Sequence, residues 1–372
     1  MRGPVVITGG GTGGHIFPMR AIADALAREG VPPADIHLVG SRRGQERRLL
    51  ADTGYPLTLL PGRGLERSLR PGALARNAGA VAGLVTAIVR AGVLVARWRP
   101  AVVVSVGGYA SVAMGLAAAL WRRPLVLVEL DAQPGATHRL LARFARRRCL
   151  ATGVSAGRDV VTGTPVSEAI ASLDRSAAAR RTAREAVDPP LEPTRSVVVV
   201  MTGSLGSRRV NDAISELAAR WSDREDVVLL HVTGRRDAER VRAARPATTG
   251  LDYRIFDFVD MPPLWAVADV AVCRAGAMTT AELTALGIPA VLVPLPGAPG
   301  DHQTANARAL VSAGAAIMVS DAECDAARLG TALDDLLEPA ALDARSRASA
   351  ALGRTDGAAA IAAVVRDAAE GR

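Results

Sequence analysis

The sequence predicts an α/β protein with two Rossmann-like, doubly wound domains. Two observations support this prediction: short runs of β-branched residues alternate with helical patterns, and 372 residues are enough for two domains of ordinary size. Such alternation is typical of parallel sheets covered by helices. A third observation is that glycine-rich loops follow several of the predicted strands, at the sheet end where doubly wound folds bind their ligands.

Four strands are predicted in each half of the chain. The first half carries Val5–Thr8, Ile36–Val39, Val102–Val106 and Leu125–Glu129, and the second carries Val197–Thr202, Val227–Val232, Val270–Cys273 and Ala290–Val293. The second series restarts after a segment at 188–195 that is rich in proline and charge. We therefore predict an N-terminal domain over 1–165 and a C-terminal domain over 166–372. The final helical stretch, about 339–369, could cross back to the first domain.

The charge is distributed unevenly between these halves. Residues 1–165 carry 22 arginines and 9 acidic residues, whereas 166–372 carry 23 arginines and 28 acidic residues. A basic half suggests contact with an anionic surface or substrate. No nucleic-acid module and no interleaving of aromatic and basic residues is visible, so we expect no nucleic-acid partner.

The cysteines and the chain start point to a cytoplasmic protein. Cys149, Cys273 and Cys324 are widely spaced and form neither a metal motif nor a disulfide framework. Met1 and Arg2 run directly into the first strand, so no signal peptide is predicted. The uncharged stretch 100–121 has the length of a membrane span, but its glycines and serines divide it into a strand, a loop and a helix.

The first glycine loop is the most informative motif. Five glycines occupy six positions at 9–14 between a strand and a helix predicted from about Ile16 to Arg28, and His15 follows the loop. Bare backbone N–H groups at the positive end of a helix dipole suit an anion. The spacing is not that of a dinucleotide fingerprint. A purely structural turn is the alternative, although the titratable His15 at the mouth favours a site.

Two further glycine loops follow predicted strands, at 105–111 and 201–207. In the later loop, Ser204 offers a hydroxyl and a backbone N–H to a phosphate. Three loops of this kind predict a ligand that carries phosphate and lies between the two domains.

A strand that ends in Arg274-Ala-Gly276 precedes a helix that contains Glu282. The amides of Ala277, Met278 and Thr279 would be the free donors at the helix start. Glu282 suits a ribose diol, with a helix salt bridge as the alternative. Farther along, Gln303 and Asn306 are three residues apart and share a helix face, which suits sugar hydroxyls or, alternatively, is a solvated face.

Together these motifs resemble those of the MurG family, which transfers N-acetylglucosamine from UDP-GlcNAc to a polyprenyl-diphosphate-linked muramoyl peptide. The resemblance covers nearly the whole chain. It rests on GGGTGGHIFP (9–18), SVGGYAS (105–111), GTPV (163–166), ADVAVCRAGAMTTAEL (268–283) and DHQTANA (301–307), in the family's order. It implies two Rossmann-like domains facing across a cleft (GT-B type) and an inverting, metal-independent transferase without a cofactor.

The resemblance also assigns residues to roles. The donor-binding set, on the second domain, is Ser204, Phe258, Arg274, Ala277, Met278, Thr279, Glu282, Gln303 and Asn306. The acceptor-binding set, on the first domain, is Thr12, Gly13, Gly14, Gly107, Gly108, Tyr109 and Glu129. His15 is the first choice for the general base because its ordinary pKa lies near the working pH, and Asp131 is the second choice.

The chain departs from the family pattern mainly on the acceptor side. The family's His-Glu-Gln-Asn appears as Val-Glu-Leu-Asp at 128–131, its Asn-Pro-Val-Arg as Thr-Pro-Val-Ser at 164–167, and its usual glutamine as Leu205. These changes favour either ordinary family drift or a different acceptor, such as a phosphoglycolipid or another lipid-linked natural product. A nucleotide-sugar-binding subunit that needs a membrane partner and a UDP-sugar epimerase are the alternatives from other classes.

The segment 72–99 predicts contact with an anionic membrane surface. Its apolar stripe is Leu74, Val81, Leu84, Val85, Ile88, Val95 and Trp98, and arginines flank it at 67, 70, 76, 90, 97 and 99. An apolar patch with basic edges can rest on an anionic leaflet. The alternative is a core helix that packs on the sheet.

Overall fold

The computed structural model describes residues 3–11, 13–61, 71–131, 133–203 and 206–371, and of 71–81 and 299 it describes the backbone alone. The chain divides into two compact units. The first comprises Met1–Ser167 with Asp356–Arg372, and the second comprises Glu168–Thr355. Each unit is built on its own parallel sheet, as the alternation of strand and helix patterns predicts.

In the part of the first unit that the structure describes, seven parallel strands form one sheet in the order β3-β2-β1-β4-β5-β6-β7. The strands are β1 (Val5–Thr8), β2 (Ile36–Ser41), β3 (Leu57–Leu60), β4 (Val102–Ser105), β5 (Leu125–Glu129), β6 (Arg147–Leu150) and β7 (Asp159–Val161). The helices are α1 (Gly13–Arg28), α2 (Glu46–Leu49), α3 (Pro71–Trp98), α4 (Tyr109–Leu120), α5 (Ala136–Leu141) and, near the chain end, α15 (Gly357–Ala369), with short 3₁₀ helices at Pro33–Asp35 and Ala142–Phe144.

The second unit has a six-stranded parallel sheet in the order β10-β9-β8-β11-β12-β13 within its described residues. The strands are β8 (Ser196–Met201), β9 (Val227–Val232), β10 (Asp252–Phe256), β11 (Val270–Cys273), β12 (Ala290–Leu292) and β13 (Ala316–Met318). The helices are α6 (Glu168–Ala171), α7 (Ala177–Glu185), α8 (Arg208–Arg220), α9 (Ala238–Ala243), α10 (Met261–Val267), α11 (Ala277–Ala285), α12 (His302–Ser312), α13 (Ala326–Leu337) and α14 (Pro339–Leu352), with 3₁₀ turns at Pro299–Asp301 and Asp321–Glu323.

Both sheets reverse their strand order once, and that point locates the candidate sites. In the first unit β1 lies between β2 and β4, and in the second β8 lies between β9 and β11. The connections that leave two adjacent strands then run to opposite faces of the sheet, which opens a crevice at the carboxyl ends of the strands. The first two glycine loops leave β1 and β4, and the later motifs leave β8 and β11.

The strands pack by their alternating faces. In β1, Val5 and Ile7 join a cluster with α1 and α15, whereas Val6 faces a second cluster with α3 and α4. All three valine and isoleucine side chains are fully buried, as expected for a parallel sheet covered on both faces. This arrangement fixes the strand ends, and therefore the loops, on a rigid base.

The predicted strands all form, with ends that shift by no more than two residues. The sequence prediction missed β3, β6, β7, β10 and β13. Most of these strands lie at or next to a sheet edge, and β6 and β10 carry arginine or aspartate because their side chains are partly exposed. Edge strands tolerate charge, so their hydrophobic pattern is weak.

The segment 339–369, predicted as one helical stretch, forms two helices, α14 and α15. α14 packs against α11 and α13 and stays in the second unit, whereas α15 packs against α1 in the first. Ile361 and Val365 of α15 lie in the same buried cluster as Ile22 and Leu26 of α1. The first unit also extends to Ser167, two residues beyond the expected boundary.

The long helix α3 has two different faces. Ala87, Ala91 and Val95 are buried against the sheet. On the opposite side, Val85, Val89 and Val93 are 56%, 62% and 62% exposed and follow one another at four-residue spacing. Across the described ranges, no helix combines the length and the apolar character that spanning a bilayer requires.

Candidate functional site

The backbone of the first glycine loop forms a hydrogen bond with a buried glutamate, Glu46. Glu46 is fully buried, and its Oε1 accepts hydrogen bonds from the backbone N–H of Gly11 at 2.9 Å and of Ser41 at 2.8 Å. A Cβ at Gly10 or Gly44 would overlap this carboxylate, and one at Gly40 would lie 2.6 Å from the Glu46 Cγ. The glycines therefore make room for a carboxylate as well as for a ligand.

This contact corrects one expectation. The sequence predicts that the bare N–H groups of the loop receive an anion, but the Gly11 N–H already serves Glu46. Helix α1 begins at Gly13, three residues earlier than predicted, so Gly13, Gly14 and His15 form its first turn. The first N–H groups of a helix have no intrahelical acceptor. The donors for an anion are thus expected at the helix start.

The first two glycine loops touch each other. Gly108 has a φ of +86°, and a Cβ there would lie 2.5 Å from the carbonyl oxygen of Gly10. Gly107 has a φ of +102°, and a Cβ there would lie 3.1 Å from the His15 ring. Only glycine allows both this conformation and this approach. The loops therefore form one surface, with the partly exposed His15 against Gly107.

A chain of buried polar side chains lies behind that surface. Glu129, at the end of β5, accepts through Oε2 at 2.8 Å from Nδ1 of His138, and Nε2 of His138 lies 2.9 Å from Oγ of Ser105. All three residues are no more than 6% exposed. Glu129 therefore bonds to α5 and, through His138, is linked to the end of β4, where the glycine loop at 105–111 begins.

The remaining predicted residues of the first unit are Tyr109, Asp131 and Thr12. Tyr109 opens α4, and its buried hydroxyl makes no hydrogen bond to the described residues. Burial raises the pKa of Tyr109. Asp131 is partly exposed two residues after β5. Thr12 lies outside the described residues.

In the second unit, the loop after β8 is supported by a buried network. Nδ2 of Asn211 donates to Oδ2 of Asp237 at 2.9 Å, and Oδ1 of Asn211 lies 2.9 Å from Nε2 of His231. A Cβ at Gly206 (φ +79°) would lie 2.5 Å from the Thr233 carbonyl. Burial lowers the pKa of His231 to about 3, so the imidazole is neutral. Ser204 and Leu205, in the same loop, lie outside the described residues.

Arg274 ties three loops together at the end of β11. Its Nη1 donates to the carbonyl oxygens of Val293 and Pro294 at 3.1 Å and pairs with Asp321 at 2.7 Å, and its Nη2 donates to Oγ of Ser207 at 2.5 Å. The guanidinium is therefore placed beside the glycine loop at 201–207, and most of its donors already have acceptors in the protein. Its first role is to hold these loops in register.

Helix α11 presents its amino end at the same sheet edge. Gly276 is the N-cap, and the first intrahelical bond runs from Thr280 N to Gly276 O. The amides of Ala277, Met278 and Thr279 precede that bond, as predicted, and all three residues are partly exposed. A glycine N-cap has no side chain to accept from these amides, so they can donate to an anion.

Glu282 lies one turn farther along α11. Its Oε2 accepts from Nε1 of Trp265, in α10, at 3.0 Å. Burial raises the pKa of Glu282 to about 7, and the hydrogen bond from Trp265 acts in the opposite direction. The carboxylate therefore changes its charge within the physiological pH range. Among the described residues, the Glu282 side chain bonds to the Trp265 indole and not to a basic side chain.

Gln303 and Asn306 both lie in α12, and each amide already binds backbone. Oε1 of Gln303 accepts from Leu295 N at 2.9 Å, and Nδ2 of Asn306 donates to Ala275 O at 3.1 Å. Phe258 follows β10 by two residues, and the Arg235 guanidinium lies 4.9 Å from its ring centroid.

Three residues of these sites were not predicted from the sequence: Glu46, His138 and Trp265. A signal exists for the first, because two closely spaced glycines, Gly40 and Gly44, precede Glu46 directly after a strand. His138 and Trp265 carry no local signal, since each gains its role from a partner in another element. The described residues contain no group of three or more His, Cys, Asp or Glu side chains that could hold a metal ion.

Two family domains match the chain. The glycosyltransferase family 28 N-terminal domain matches residues 5–149, and the C-terminal domain of the same family matches residues 197–361. The N-terminal match contains the sites built around β1 and β4, and the C-terminal match contains those built around β8 and β11.

Several solved structures share the fold. MurG of Acinetobacter baumannii superimposes with a TM-score of 0.76 at 27% identity, covering 98% of this chain and 99% of that one. A UDP-GlcNAc 2-epimerase of Neisseria meningitidis, solved with bound UDP-GlcNAc, has a TM-score of 0.65 at 13% identity and therefore shows only that the fold is shared. The two-unit architecture is of the GT-B type.

Curated relatives extend over the full chain. A protein of Alkalilimnicola ehrlichii is 40% identical over 98% of both chains, and one of Acidithiobacillus ferrooxidans is 38% identical over 100% of this chain and 99% of its own. Both are named UDP-N-acetylglucosamine–N-acetylmuramyl-(pentapeptide) pyrophosphoryl-undecaprenol N-acetylglucosamine transferase. With its two glycine-lined switch points and its family 28 domains, this chain belongs to the MurG family of UDP-sugar glycosyltransferases.

Proposed function

We propose that this protein transfers N-acetylglucosamine from UDP-GlcNAc to a lipid-linked N-acetylmuramoyl pentapeptide, which converts a lipid I-type acceptor to a lipid II-type product. The observation that carries the proposal is the 40% identity, over nearly the whole of both chains, to a relative named for that reaction. The donor is assigned to the second unit and the acceptor to the first.

On the donor side, the amino end of α11 supports binding of the diphosphate. The amides of Ala277, Met278 and Thr279 carry the partial positive charge of the helix dipole, and the guanidinium of Arg274, which is paired with Asp321, lies against Ser207 at the end of the 201–207 loop. As the bond from the sugar to phosphate breaks, negative charge develops on UDP. Fixed donors at that position stabilise the departing group, so the proposed reaction needs no metal ion.

On the acceptor side, the two touching glycine loops support a site for the acceptor. In an inverting transfer, an acceptor hydroxyl attacks the anomeric carbon, a new glycosidic bond forms, and the bond to UDP breaks. The proton of that hydroxyl passes to a base. His15 is the first candidate because it lies against Gly107 in the loop surface, and Asp131 is the second.

The test is a single-protein transfer assay with radiolabelled UDP-GlcNAc and purified lipid I, with UDP-glucose and UDP-galactose as competing donors. We expect turnover of lipid I, and a His15→Ala variant that keeps UDP affinity but loses about 10²–10⁴ in turnover. A phosphoglycolipid acceptor is assayed in parallel. Turnover of that acceptor alone would contradict the lipid I assignment, and no turnover with either would favour a binding subunit.

We also propose that the first unit rests on the anionic cytoplasmic face of the membrane. The described part of α3 changes the predicted stripe: Val95 is buried, and Val85, Val89 and Val93 form the exposed row. Arg42 and Arg90 line a groove of about 320 Å³ beside that row. Leu74, Val81 and Arg76 lie where only the backbone is described, and Arg67 and Arg70 lie outside the described residues.

Vesicle flotation tests this surface. Replacing Val85, Val89 and Val93 by serine should release the protein from vesicles that contain anionic lipid, because apolar burial and charge attraction act together at such a surface. Val154→Ser is the matched control, since Val154 is 80% exposed in the same unit but outside α3. Binding that is equal with neutral and anionic vesicles would argue against the proposal.

A further inference from the structure

We propose that Trp265 is a positioning residue for the nucleotide: its indole N–H holds the Glu282 carboxylate in the orientation that receives the two ribose hydroxyls. This inference rests on the proposed role of Glu282 in donor binding. The geometry that carries it is the 3.0 Å hydrogen bond from Trp265 Nε1 to Glu282 Oε2, between two helices that follow different strands.

The hydrogen bond leaves acceptor sites available on the same carboxylate. An indole has one N–H and no acceptor, so it occupies one lone pair of Oε2. Among the described residues, no other donor to the Glu282 carboxylate is found. Oε1 and the second lone pair of Oε2 can then accept from a vicinal diol. A rotamer fixed in this way loses less entropy when the nucleotide binds.

The backbone at the end of α10, which carries Trp265, is fixed by contacts that do not involve Glu282. Trp265 is fully buried, and its carbonyl oxygen accepts from Arg175, whose Nη2 also donates to Ala268 O at 2.7 Å. Nη2 of Arg184 donates to Val267 O at 3.2 Å. These guanidinium groups satisfy the last carbonyls of α10, where positive charge is favoured by the helix dipole. The end of α10 is thus anchored independently of Glu282.

The charge of Glu282 gives the inference a measurable signature. Burial raises the pKa of Glu282 to about 7, and the indole N–H lowers it because that donor favours the carboxylate over the acid. The ionised form accepts from both hydroxyls, so discrimination in favour of the diol should rise as the pH rises through 7. Loss of the indole N–H should move that rise to higher pH.

Other ionisable groups near α11 do not complicate this signature. α11 packs against α6, α12 and α14 as well as lying beside α10. The titratable side chains on those three helices are Glu168, His302, Arg308, Asp343, Arg345 and Arg347. The upward shift of the Glu282 pKa comes from burial and is opposed by the Trp265 hydrogen bond, and none of these six side chains is a cause of it. Cys273 interacts with Glu282, but burial keeps that thiol protonated by raising its pKa.

The experiment measures the dissociation constants of UDP and of its 2′,3′-dideoxy analogue by calorimetry between pH 5.5 and 8.5. The dissociation constant of the dideoxy analogue divided by that of UDP isolates the contribution of the diol, because both nucleotides carry the same diphosphate and its ionisation cancels. In the wild-type protein the ratio should rise by about tenfold or more across this range, as expected for hydrogen bonds to a carboxylate. Trp265→Phe should lower the ratio at pH 7 by about threefold to tenfold and shift its midpoint upward.

Two controls separate positioning from packing. Trp221→Phe changes a tryptophan that is 8% exposed in the core of the same unit without touching Glu282, and it should leave the midpoint unchanged. Glu282→Gln should give a small ratio that does not vary with pH, and adding Trp265→Phe to it should change nothing further. An unchanged ratio and midpoint in Trp265→Phe would overturn the inference. A wild-type ratio near one at every pH would instead overturn the ribose role of Glu282.

If the Trp265→Phe variant does not fold, a second measurement on the wild-type protein tests the same inference. The indole ¹H–¹⁵N resonance of Trp265 in the wild-type protein can be assigned by replacing each of the other three tryptophans in turn. It should titrate with the midpoint of the diol ratio and stop titrating in Glu282→Gln. A resonance that does not move with pH in the wild-type protein would contradict the proposed hydrogen bond.

Discussion

Removal of the Glu46 carboxylate should loosen the first glycine loop and destabilise the first unit. Oε1 of Glu46 accepts from Gly11 N and Ser41 N, two backbone donors that are otherwise distant in the chain. In Glu46→Ala both N–H groups lose their acceptor; the Ser41 N–H is buried, and an unsatisfied buried donor costs about 1–3 kcal/mol, whereas Gly11 is exposed and its N–H can bond to water instead. The expected loss in the free energy of unfolding is therefore about 1–3 kcal/mol.

Glu46→Gln separates charge from shape. The amide oxygen can still accept both hydrogen bonds, but bonds to a neutral acceptor are about half as strong as those to a carboxylate. We expect a loss of about 0.5–1 kcal/mol for this variant, smaller than for alanine. Because the loop also belongs to the proposed acceptor site, KM for the acceptor should rise in both variants while the affinity for UDP stays unchanged.

The assay is urea unfolding followed by circular dichroism, with thermal unfolding as a second probe. For a unit of this size, each kcal/mol corresponds to about 2–4 °C in Tm. Gln45→Ala is the matched control, because within the described part of the chain the Gln45 side chain bonds to the exposed Arg48, and its loss should change stability by less than about 0.5 kcal/mol. The reasoning is refuted if Glu46→Ala is as stable as this control, or if it weakens UDP binding as much as acceptor binding.

Three further predictions test other contacts. Gly108→Ala should reduce acceptor-dependent turnover by about tenfold or more and leave the UDP affinity measured by calorimetry unchanged. The new Cβ would overlap the carbonyl oxygen of Gly10, and the positive φ costs about 1–2 kcal/mol for a residue with a side chain. Normal turnover would show that the two loops separate freely. Glu129→Ala should lower the free energy of unfolding by about 1–3 kcal/mol in a urea titration, because His138 Nδ1 loses its buried acceptor; a wild-type titration curve would contradict that contact. Asp269→Asn should destabilise the second unit by about 3–5 kcal/mol, because two arginines of α7 lose their shared carboxylate. Chemical denaturation monitored by tryptophan fluorescence measures this loss of stability. A change under about 1 kcal/mol would argue against the pairing.

The fold could be predicted from the sequence because its strands are buried on both faces. Runs such as Val102–Ser105 and Val197–Val200 are continuous and apolar, as central strands of a parallel sheet require. The missed strands, such as Asp252–Phe256, mix charged and apolar residues at the edge of a sheet. Their position is decided by pairing with a neighbouring strand, which no local pattern records.

The candidate site was predictable where the chemistry is local. A glycine loop between a strand and a helix, and the free amides at 277–279, follow directly from chain order and from the way helices begin. The sequence by itself therefore determined the two sheets, the glycine loops at their switch points, and the family. These features depend on residues that are close together in the chain.

Tertiary structure alone decided what those loops rest on. Glu46 accepts a hydrogen bond from the N–H of Gly11, 35 residues earlier in the chain. His138 forms hydrogen bonds to both Glu129 and Ser105, and Trp265 donates one to Glu282. Each of these contacts joins groups from separate segments of the chain, and those made by His138 and Trp265 fix the orientation of the predicted site residues Glu129 and Glu282. The physical reason is that a buried polar group must find its partner wherever the folded chain brings one, and periodicity and spacing in the sequence carry no information about that encounter.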